Sequence, residues 1–316
     1  MGDMTAANAA VSRKNSILEL LRFLFAMWVL YYHGFVPYKC ELFSDGFLAV
    51  EFFFVLSGFF LVRSVDKYTA LPTKIGITGF LRHRFSSIAV PFLIGEVFVL
   101  IYSLRHPISV NFLFGYLWYV RDLFIAMTAV FLLRRFVKNE RIFYLILTAV
   151  SIIAMFGFRW IPMMAWPSGP FRSAVAMPLG MLAARIPKIT VKNKRMNTAL
   201  YTVGFFAVGI GCLAMIASPD KSELIKHILV ILGYPMLIYF ASRVDFNFSL
   251  FNWLGTLSFP IYAFQCILRV IEELWIIDEG WLFIILMGIV LLYSLIIHLI
   301  SLYKKRYVGE RVKFSQ

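Results

Sequence analysis

Three ionisable residues, Glu19, Arg22 and His33, lie within an apolar stretch long enough to cross a membrane, Ile17 to Phe35. An ionised side chain in hydrocarbon costs about 2.5–3.5 kcal/mol on insertion scales, so each residue requires a partner or a hydrated cavity. At about 100° per residue, the steps from Arg22 to His33 end roughly 20° past three full turns. Both side chains therefore share one helix face, about 16 Å apart along the axis. This face, with a fixed cation and an imidazole, is predicted to line a cavity.

A carboxylate, Glu51, lies near the start of the second apolar stretch, at the predicted membrane depth of His33. A carboxylate bonded to one imidazole nitrogen fixes the tautomer and raises the basicity of the other nitrogen. The sequence therefore predicts a pair in which His33 is the base and Glu51 orients it. The alternative is a rim carboxylate that lipid headgroups solvate.

Two arginines, Arg82 and Arg84, flank His83 immediately before the third apolar stretch. Guanidinium groups bind phosphates through paired N–H donors, so these residues are candidates for a phosphate clamp. Anchoring of a cytoplasmic loop by positive charge explains the same residues equally well.

The fourth apolar stretch opens with Trp118, Arg121 and Asp122. Trp118 is typical of the aromatic residues found at membrane interfaces. Arg121 and Asp122 are adjacent, so their side chains leave a helix about 100° apart and we expect each to find its partner elsewhere.

A polar stripe runs along the ninth apolar stretch, where Ser258, Tyr262, Gln265 and Arg269 recur at helical spacing. Such a stripe in a membrane faces protein or water. It indicates either hydrogen bonding between helices or the lining of a cavity, and Pro260, which frees a backbone carbonyl within the stretch, slightly favours the cavity.

The composition is that of a membrane protein. Hydrophobic residues make up 61% of the 316 residues, charged residues only 15%, and the mean hydropathy is +0.80. A soluble domain carries about 25% charged residues, so this chain cannot cover itself with polar surface. The cysteines at 40, 212 and 266 are irregularly spaced and indicate neither a disulfide framework nor a zinc site, so no metal is expected.

Apolar stretches that must position these residues cover residues 16–35, 44–63, 85–104, 111–133, 142–159, 171–186, 198–217, 225–242, 249–271 and 281–303. With the N-terminus inside, 22 of the 31 Lys and Arg residues fall on the inner side. The outer side holds 7, Arg172 among them, and 2 lie within the stretches. This asymmetry predicts an all-α polytopic transmembrane bundle of about ten spans with both termini cytoplasmic. The net charge of +14 is then mainly a topology signal, and no nucleic-acid partner is expected.

The chain is predicted to form one transmembrane domain, residues 16–303, between a flexible N-terminus, 1–15, and a basic cytoplasmic tail, 304–316. The first apolar stretch is too long for the apolar part of a signal peptide and is not followed by a small-residue cleavage site. We therefore expect a retained first helix.

Five segments together resemble the acyltransferase-3 family of integral membrane O-acyltransferases, which modify polysaccharides and other surface glycans. They are the spacing of Arg22 and His33, VEFFFVLSGFFL around Glu51, the Arg-rich segment running into Pro91, LWYVRDLF, and LGTLSFPIYAFQ. Glu51 stands where the family usually has Asp, Ser87 where it often has a second Arg, and Gln265 where it commonly has His. Proton transfer assigned to that His is not carried over to Gln265, whose amide can still hydrogen-bond a carbonyl or a sugar hydroxyl.

The resemblance implies an enzyme that moves an acyl group, acetyl before longer chains, from cytoplasmic acyl-CoA to a hydroxyl of a glycan or lipid-linked glycan. The diphosphate of acetyl-CoA or another acyl-CoA would bind Arg82 and Arg84, and Arg22 would hold the pantetheine or thioester end. His33 would act as general base or transient acyl carrier, oriented by Glu51. The acceptor would contact Trp118, Arg121, Asp122, Tyr262 and Gln265. The expected setting is the lipid of a bacterial inner membrane.

A membrane transporter or flippase for a lipid-linked or anionic substrate is the alternative, because intramembrane charges are expected there too. The sequence lacks a pair of interrupted helices at corresponding positions of two halves, which counts against a transporter. A non-catalytic scaffold would leave the shared face of Arg22 and His33 unexplained.

Overall fold

The computed structural model describes residues 15–33, 45–103, 118–158, 168–191, 193–218, 222–274 and 279–314. Within these ranges the chain is helical between short connections and contains no strand. The helices are α1 (Ser16–Tyr32), α2 (Phe47–Thr69), α3 (Thr73–Ser103), α4 (Trp118–Phe136), α5 (Glu140–Phe158), α6 (Ser168–Arg185), α7 (Lys194–Ile216), α8 (Glu223–Ile228), α9 (Tyr234–Ala241), α10 (Ser249–Leu274) and α11 (Glu279–Phe314). A π-helical turn, Leu229–Gly233, joins α8 to α9 in one continuous rod.

Each apolar stretch of the sequence overlaps one of these helices, with α8, the π turn and α9 counted as one rod. The all-α prediction is therefore confirmed for the described part of the chain. Three helical segments there combine the length and hydropathy that a membrane span requires, Phe47–Thr69, Arg195–Ile216 and Glu223–Ala241. A shorter apolar segment covers Phe283–Ile297 within α11. That last helix continues to Phe314, so the basic segment after residue 303 extends it.

The helix termini gather at two ends of the bundle. At the first, which we name the Glu51 end, Tyr32 of α1 lies against Gly46 at the start of α2. At the other, the Arg185 end, the side chain of Arg185 at the end of α6 forms ion pairs with Asp66 near the end of α2 and Glu140 at the start of α5. The named ends give each functional residue a position along the bundle axis.

Helix α1 begins where it does because Asn15 caps it. The Asn15 side-chain oxygen accepts a hydrogen bond from the backbone N–H of Leu18, and its Nδ2 donates to the carbonyl of Ala241 at 3.0 Å. Ser16 adds a hydrogen bond of 3.0 Å to the Asn252 side chain. An N-cap of this kind contributes about 1 kcal/mol, and here it also fixes α1 against α9 and α10.

Small residues let the most closely packed helices approach, as is usual where helices pack in lipid. A Cβ added to Gly58 of α2 would lie 2.0 Å from the Met177 carbonyl oxygen, and one added to Gly180 of α6 would lie 1.8 Å from that of Val55. The backbones of α2 and α6 therefore touch at two points, which sets the frame around Glu51.

The core between α1, α2 and α9 is aromatic. Phe25 and Phe52 stack with ring centroids 3.8 Å apart, and Tyr234, the first residue after the π turn, meets both rings edge-on at 5.6 Å. These buried rings hold α1, which carries Arg22 and His33, rigidly against α2, which carries Glu51.

Candidate functional site

The guanidinium of Arg22 is held by its own helix. Its NH1 nitrogen donates to both carboxylate oxygens of Glu19, at 3.0 and 3.3 Å. Glu19 is itself pressed against α10, because a Cβ added to Gly255 would lie 2.0 Å from Glu19 Oε2. Arg22 thus has a partner, one of the two alternatives that its place in an apolar stretch allows, and its side chain remains 31% exposed.

Four helices converge near Arg22. The hydroxyl of Tyr119 on α4 lies near the Ser57 side chain on α2 and within range of the Arg22 charge. The ring of Tyr119 meets that of Tyr262 on α10 edge-on, with centroids 5.1 Å apart. A cation and two phenols are thus assembled between the two ends of the bundle.

The imidazole of His33 lies at the Glu51 end. His33 terminates α1, its backbone N–H bonds the Val29 carbonyl at 3.2 Å, and its half-buried ring contacts the edge of Tyr32 with centroids 5.3 Å apart. Because the chain is helical from Arg22 to Tyr32, the axial separation of about 16 Å between Arg22 and His33 is retained.

Glu51 is buried rather than solvated at the rim. Its residue exposure is 3%, and its Oε1 accepts a hydrogen bond from Nε of Arg172 on α6. The same guanidinium donates to the Phe47 carbonyl at 2.9 Å and lies 4.7 Å from the ring centroid of Trp118. Arg172 therefore ties the first turns of α2, α4 and α6 together. The pairing of Glu51 with His33 stays a prediction.

Arg172 is the residue that sequence reasoning missed. The sequence placed it among the outer loop cations, whereas the structure places it inside the first two turns of α6, with a residue exposure of 3%. A usable signal existed, because an arginine at the border of the apolar stretch 171–186 lies at the predicted level of the unpaired Glu51.

The prediction for Arg121 and Asp122 was wrong. Arg121 Nε donates to Asp122 Oδ1 at 2.9 Å, because the three methylenes of arginine allow the guanidinium to curve back across the angle between neighbouring positions. Asp122 is 2% exposed, and its Oδ2 has no hydrogen-bond partner in the described chain. That oxygen lies beside Gly169, in the first turn of α6, where a helix N-terminus favours negative charge.

The described part of the polar stripe on α10 is buried, so the two interpretations, hydrogen bonding between helices and the lining of a cavity, both stay predictions. Ser258, Tyr262 and Gln265 are all buried, and Ser258 Oγ donates to the Gly255 carbonyl at 2.8 Å. The side-chain surroundings of Arg269 lie outside the described residues. Gln265 Oε1 has no hydrogen-bond partner in the described chain and can accept one from a ligand hydroxyl.

The predicted phosphate clamp lies near the Arg185 end, on α3. Arg82 is exposed, whereas Arg84 is half-buried, donates to Ser64 Oγ of α2 and lies 5.7 Å from the ring centroid of Phe80. His83 lies between these two arginines in the sequence. Burial and the neighbouring charges of Arg84 and Lys67 lower the pKa of His83. This end therefore presents a cationic surface that can attract phosphate.

The structure thus groups the predicted residues at three levels. The Glu51 end holds His33, Glu51, Trp118, Arg121 and Asp122; Arg22 lies between the ends near Tyr262; and Arg82 and Arg84 lie toward the Arg185 end. Among the described residues, no three His, Cys, Asp or Glu side chains come together as metal ligands.

Of three comparisons with known proteins, one identifies the family of the chain. Neither a curated protein nor a solved structure matches it significantly. The family model described as an acyltransferase domain, that of acyltransferase-3, matches residues 15–300, which include every residue of the site. The apolar helices agree with the membrane setting of that family. The chain is therefore a membrane protein that belongs to the acyltransferase-3 family of acyl-transfer enzymes.

Proposed function

We propose that this enzyme is an O-acyltransferase that moves an acyl group, acetyl in the first instance, from cytoplasmic acyl-CoA to a hydroxyl of a surface or exported polysaccharide. In this proposal the chain crosses a bacterial inner membrane ten times with both termini in the cytoplasm. The Arg185 end then faces the cytoplasm, where acyl-CoA is made, and the Glu51 end faces outward.

The observation that carries the proposal is the placement of Arg22. Its guanidinium lies within the bundle, is held by Glu19, and is nevertheless 31% exposed. An arginine at this depth pairs with another group or faces a ligand or a wet passage, and the part of the Arg22 side chain that Glu19 leaves exposed can contact a ligand. Its distance from His33, about 16 Å along α1, is of the order of an extended pantetheine arm.

Donor binding begins at the cationic surface of α3. Arg82 and Arg84 bind the phosphates of acyl-CoA, for which guanidinium forks are well shaped. The pantetheine arm extends past Arg22 toward the Glu51 end, and Arg22 hydrogen-bonds the arm or the thioester carbonyl. The thioester carbon is thereby brought to the imidazole of His33.

Acyl transfer then needs one base and one electrophile. His33 takes the proton of the acceptor hydroxyl, the hydroxyl oxygen attacks the thioester carbon, and the carbon–sulfur bond breaks to release CoA, which recovers the proton from the imidazolium. Glu51 stabilises the charged imidazole from the adjacent helix. Tyr262 and Gln265 supply hydrogen bonds to the acceptor, and Trp118, Arg121 and Asp122 form its outer contacts.

The test is acyl transfer by purified protein in detergent, with labelled acetyl-CoA as donor and glycans extracted from the host membrane as acceptors. We expect His33→Ala to lose about 10²–10⁴-fold in rate, the usual contribution of a general base. His298→Ala is the matched control, because His298 lies on α11, a helix that packs on α10. Full activity in the His33 variant would overturn the assignment.

The same assay separates the enzyme from a transporter. A detergent solution has no compartments, so a transporter or flippase has no measurable activity in it. Transfer or hydrolysis of the acyl group by the wild-type protein under these conditions is therefore expected only of an enzyme.

A further inference from the structure

Helices α1 and α10 pack side by side in one register. The hydroxyl of Ser16 donates to Asn252 Oδ1 at 3.0 Å, and Glu19 lies against Gly255. In both contacts the α10 residue comes 236 positions after the α1 residue, so the two helices run parallel. Because both helices rise about 1.5 Å per residue, this offset gives the depth of each α10 residue along α1.

This register places Tyr262 between the level of Arg22 and that of His33. Along the bundle axis, Tyr262 lies about 6 Å beyond the level of Arg22, and Gln265 lies about 10 Å beyond it. On the near side of Tyr262, the Arg22 side chain is 31% exposed. On the far side, Gln265 is buried and its Oε1 has no hydrogen-bond partner in the described chain. Tyr262 therefore separates a partly exposed cation from a buried acceptor atom.

Aromatic rings from α2, α4 and α10 pack together at the level of Tyr262. The ring of Tyr119 meets that of Tyr262 edge-on, with centroids 5.1 Å apart, and lies 4.8 Å from the ring centroid of Phe54 on its other side. All three residues are buried, and so are Ala26 and Val29 of α1 at the same depth. Water reaches almost none of these five side chains, so the described residues close the bundle at this depth.

The proposed donor has to cross this depth. The acyl group is the tip of the pantetheine arm, so on the way from Arg22 to His33 it is the first part of the donor to reach the ring of Tyr119. A tyrosine ring turns aside by rotation about its side-chain bonds, which opens a narrow gap. A wide acyl group needs more room than that, and a close-packed interior resists the added volume.

We propose that Tyr119 and Tyr262 select the acyl group by its width, admitting straight chains such as acetyl and butyryl and rejecting an aromatic acyl group such as benzoyl. The inference rests on the proposed function, which names acetyl and leaves other acyl groups open. Chain length is not selected at this depth, because a straight acyl chain is no wider than the arm that follows it. Steric discrimination of this kind is worth about 10–200-fold.

Tyr119 is the residue to vary, because Tyr262 also contacts the acceptor in the proposed function. Tyr119→Leu removes the ring, whereas Tyr119→Phe keeps the ring and removes only the hydroxyl. Phe264→Leu is the matched control. Phe264 is buried on α10 two positions after Tyr262, and its ring packs edge-on against Tyr293 of α11 with centroids 5.2 Å apart. The control therefore truncates a buried ring at nearly the same depth on another side of α10.

The first experiment measures closure of the bundle without any transfer reaction. Gln265→Cys is introduced into a chain whose cysteines at 40, 212 and 266 are replaced by serine. Inside-out membrane vesicles then present the proposed cytoplasmic end to the membrane-impermeant thiol reagent sulfonatoethyl methanethiosulfonate. We expect Tyr119→Leu to raise the rate of modification at position 265 about tenfold. Tyr119→Phe and Phe264→Leu should leave that rate unchanged. An equal rate with and without the ring of Tyr119 overturns the proposal.

The second experiment measures kcat/KM for acetyl-CoA, butyryl-CoA and benzoyl-CoA with one acceptor glycan. The quantity to compare is the ratio between donors, because a loss of folded enzyme lowers all three values equally. Tyr119→Leu should lower the preference for acetyl-CoA over benzoyl-CoA about tenfold and leave that for acetyl-CoA over butyryl-CoA unchanged. Tyr119→Phe and Phe264→Leu should keep both wild-type ratios.

Two results of the second experiment overturn the proposal. One is a wild-type enzyme that uses benzoyl-CoA as well as acetyl-CoA, and the other is an unchanged ratio of these donors in Tyr119→Leu. A wild-type protein that transfers an acyl group from none of the three donors overturns the proposed function and the selection of the acyl group with it. The thiol modification then still decides whether the ring of Tyr119 closes the bundle.

Discussion

Arg172 of α6 donates its Nε–H to the carboxylate of Glu51 on α2, and the two side chains are only 3% and 4% exposed. The pair lies where α2, α4 and α6 begin, and the guanidinium also covers the ring of Trp118. A buried carboxylate remains ionised only with a partner of this kind. Arg172 and Glu51 therefore form a buried ion pair at the Glu51 end, where α1 terminates in His33.

Arg172→Gln should destabilise the fold by about 3–5 kcal/mol, because the substitution leaves a buried charge without its partner. Adding Glu51→Gln to Arg172→Gln should recover part of that loss, since both groups are then neutral. The measurement is urea or thermal unfolding of purified protein in mild detergent.

Arg185→Gln is the control for this prediction. Arg185 lies on the same helix and pairs with Asp66, but the two side chains are 39% and 45% exposed. Exposed pairs contribute about 0–1 kcal/mol, so this variant should unfold nearly as the wild type does. Equal destabilisation by the two arginine variants would show that the buried pair contributes no more to the free energy of unfolding than the exposed pair does.

The contact of α2 with α6 should be intolerant of any side chain at its glycines. Gly180→Ala places a methyl 1.8 Å from the backbone oxygen of Val55, so the helices must separate, at a cost of about 1–3 kcal/mol. Gly211→Ala, whose methyl would meet nothing within 4 Å, should leave stability unchanged. Thermal unfolding in detergent compares the two, and a Gly180 variant as stable as the wild type would contradict the close approach.

The helices could be predicted from the sequence because each apolar stretch is long and its boundaries carry polar or charged residues. Asn15 and Ser16, for example, mark the start of α1, and both do cap or anchor it. The stripe of Ser258, Tyr262 and Gln265 could likewise be placed on a protein-facing side, because in lipid a row of polar side chains has no other favourable surroundings.

Partners across the bundle could not be predicted in the same way. Arg172 and Glu51 are 121 positions apart, and no local pattern states which helices meet. The pairing of Arg121 with Asp122 was missed for the opposite reason, since the angle between neighbouring positions ignores the length of the arginine side chain. Glu19 pairs with Arg22 within one turn of α1, which the spacing allows, but its packing against Gly255 of α10 could not be predicted from the sequence.

Arg22→Lys should reduce kcat/KM for acyl-CoA by about tenfold or more, because lysine keeps the charge but lacks the planar fork that can hold Glu19 and a donor carbonyl together. Arg134→Lys is the control, since Arg134, at the end of α4, donates to the carbonyls of Val137 and Lys138 and lies 5.6 Å from the ring centroid of Phe143. Steady-state acyl transfer measures both. Equal kcat/KM values for the wild type and the Arg22 variant would remove Arg22 from the donor path.

The membrane topology predicts which surfaces are accessible from each side. Cysteines introduced at Lys138 and Lys188, near the Arg185 end, should react with a membrane-impermeant maleimide only after the cells are permeabilised. A cysteine at Ser222, just before α8, should react in intact cells. The background is a chain in which Cys40, Cys212 and Cys266 are replaced by serine. Reaction of the first two positions in intact cells would reverse the assignment of the ends.

Acyl-CoA binding should strengthen as the pH falls, through His83. Burial and the charges of Arg84 and Lys67 hold the pKa of His83 below its ordinary value in the free protein, so the ring is neutral at pH 7. Phosphate bound between Arg82 and Arg84 adds negative charge nearby and raises that pKa. The complex therefore takes up a proton that the free protein does not, and affinity rises as the pH falls from 7 toward the pKa of the free protein.

The measurement is the Kd of CoA by calorimetry from pH 7.5 to about 5.5, where the change is at most tenfold per pH unit. CoA has titrating groups of its own, so the quantity to compare is the pH dependence of the wild type against that of His83→Gln. His227→Gln, which alters a histidine on α8, should keep the full pH dependence. Identical profiles for the wild type and His83→Gln would show that the phosphates do not bind beside His83.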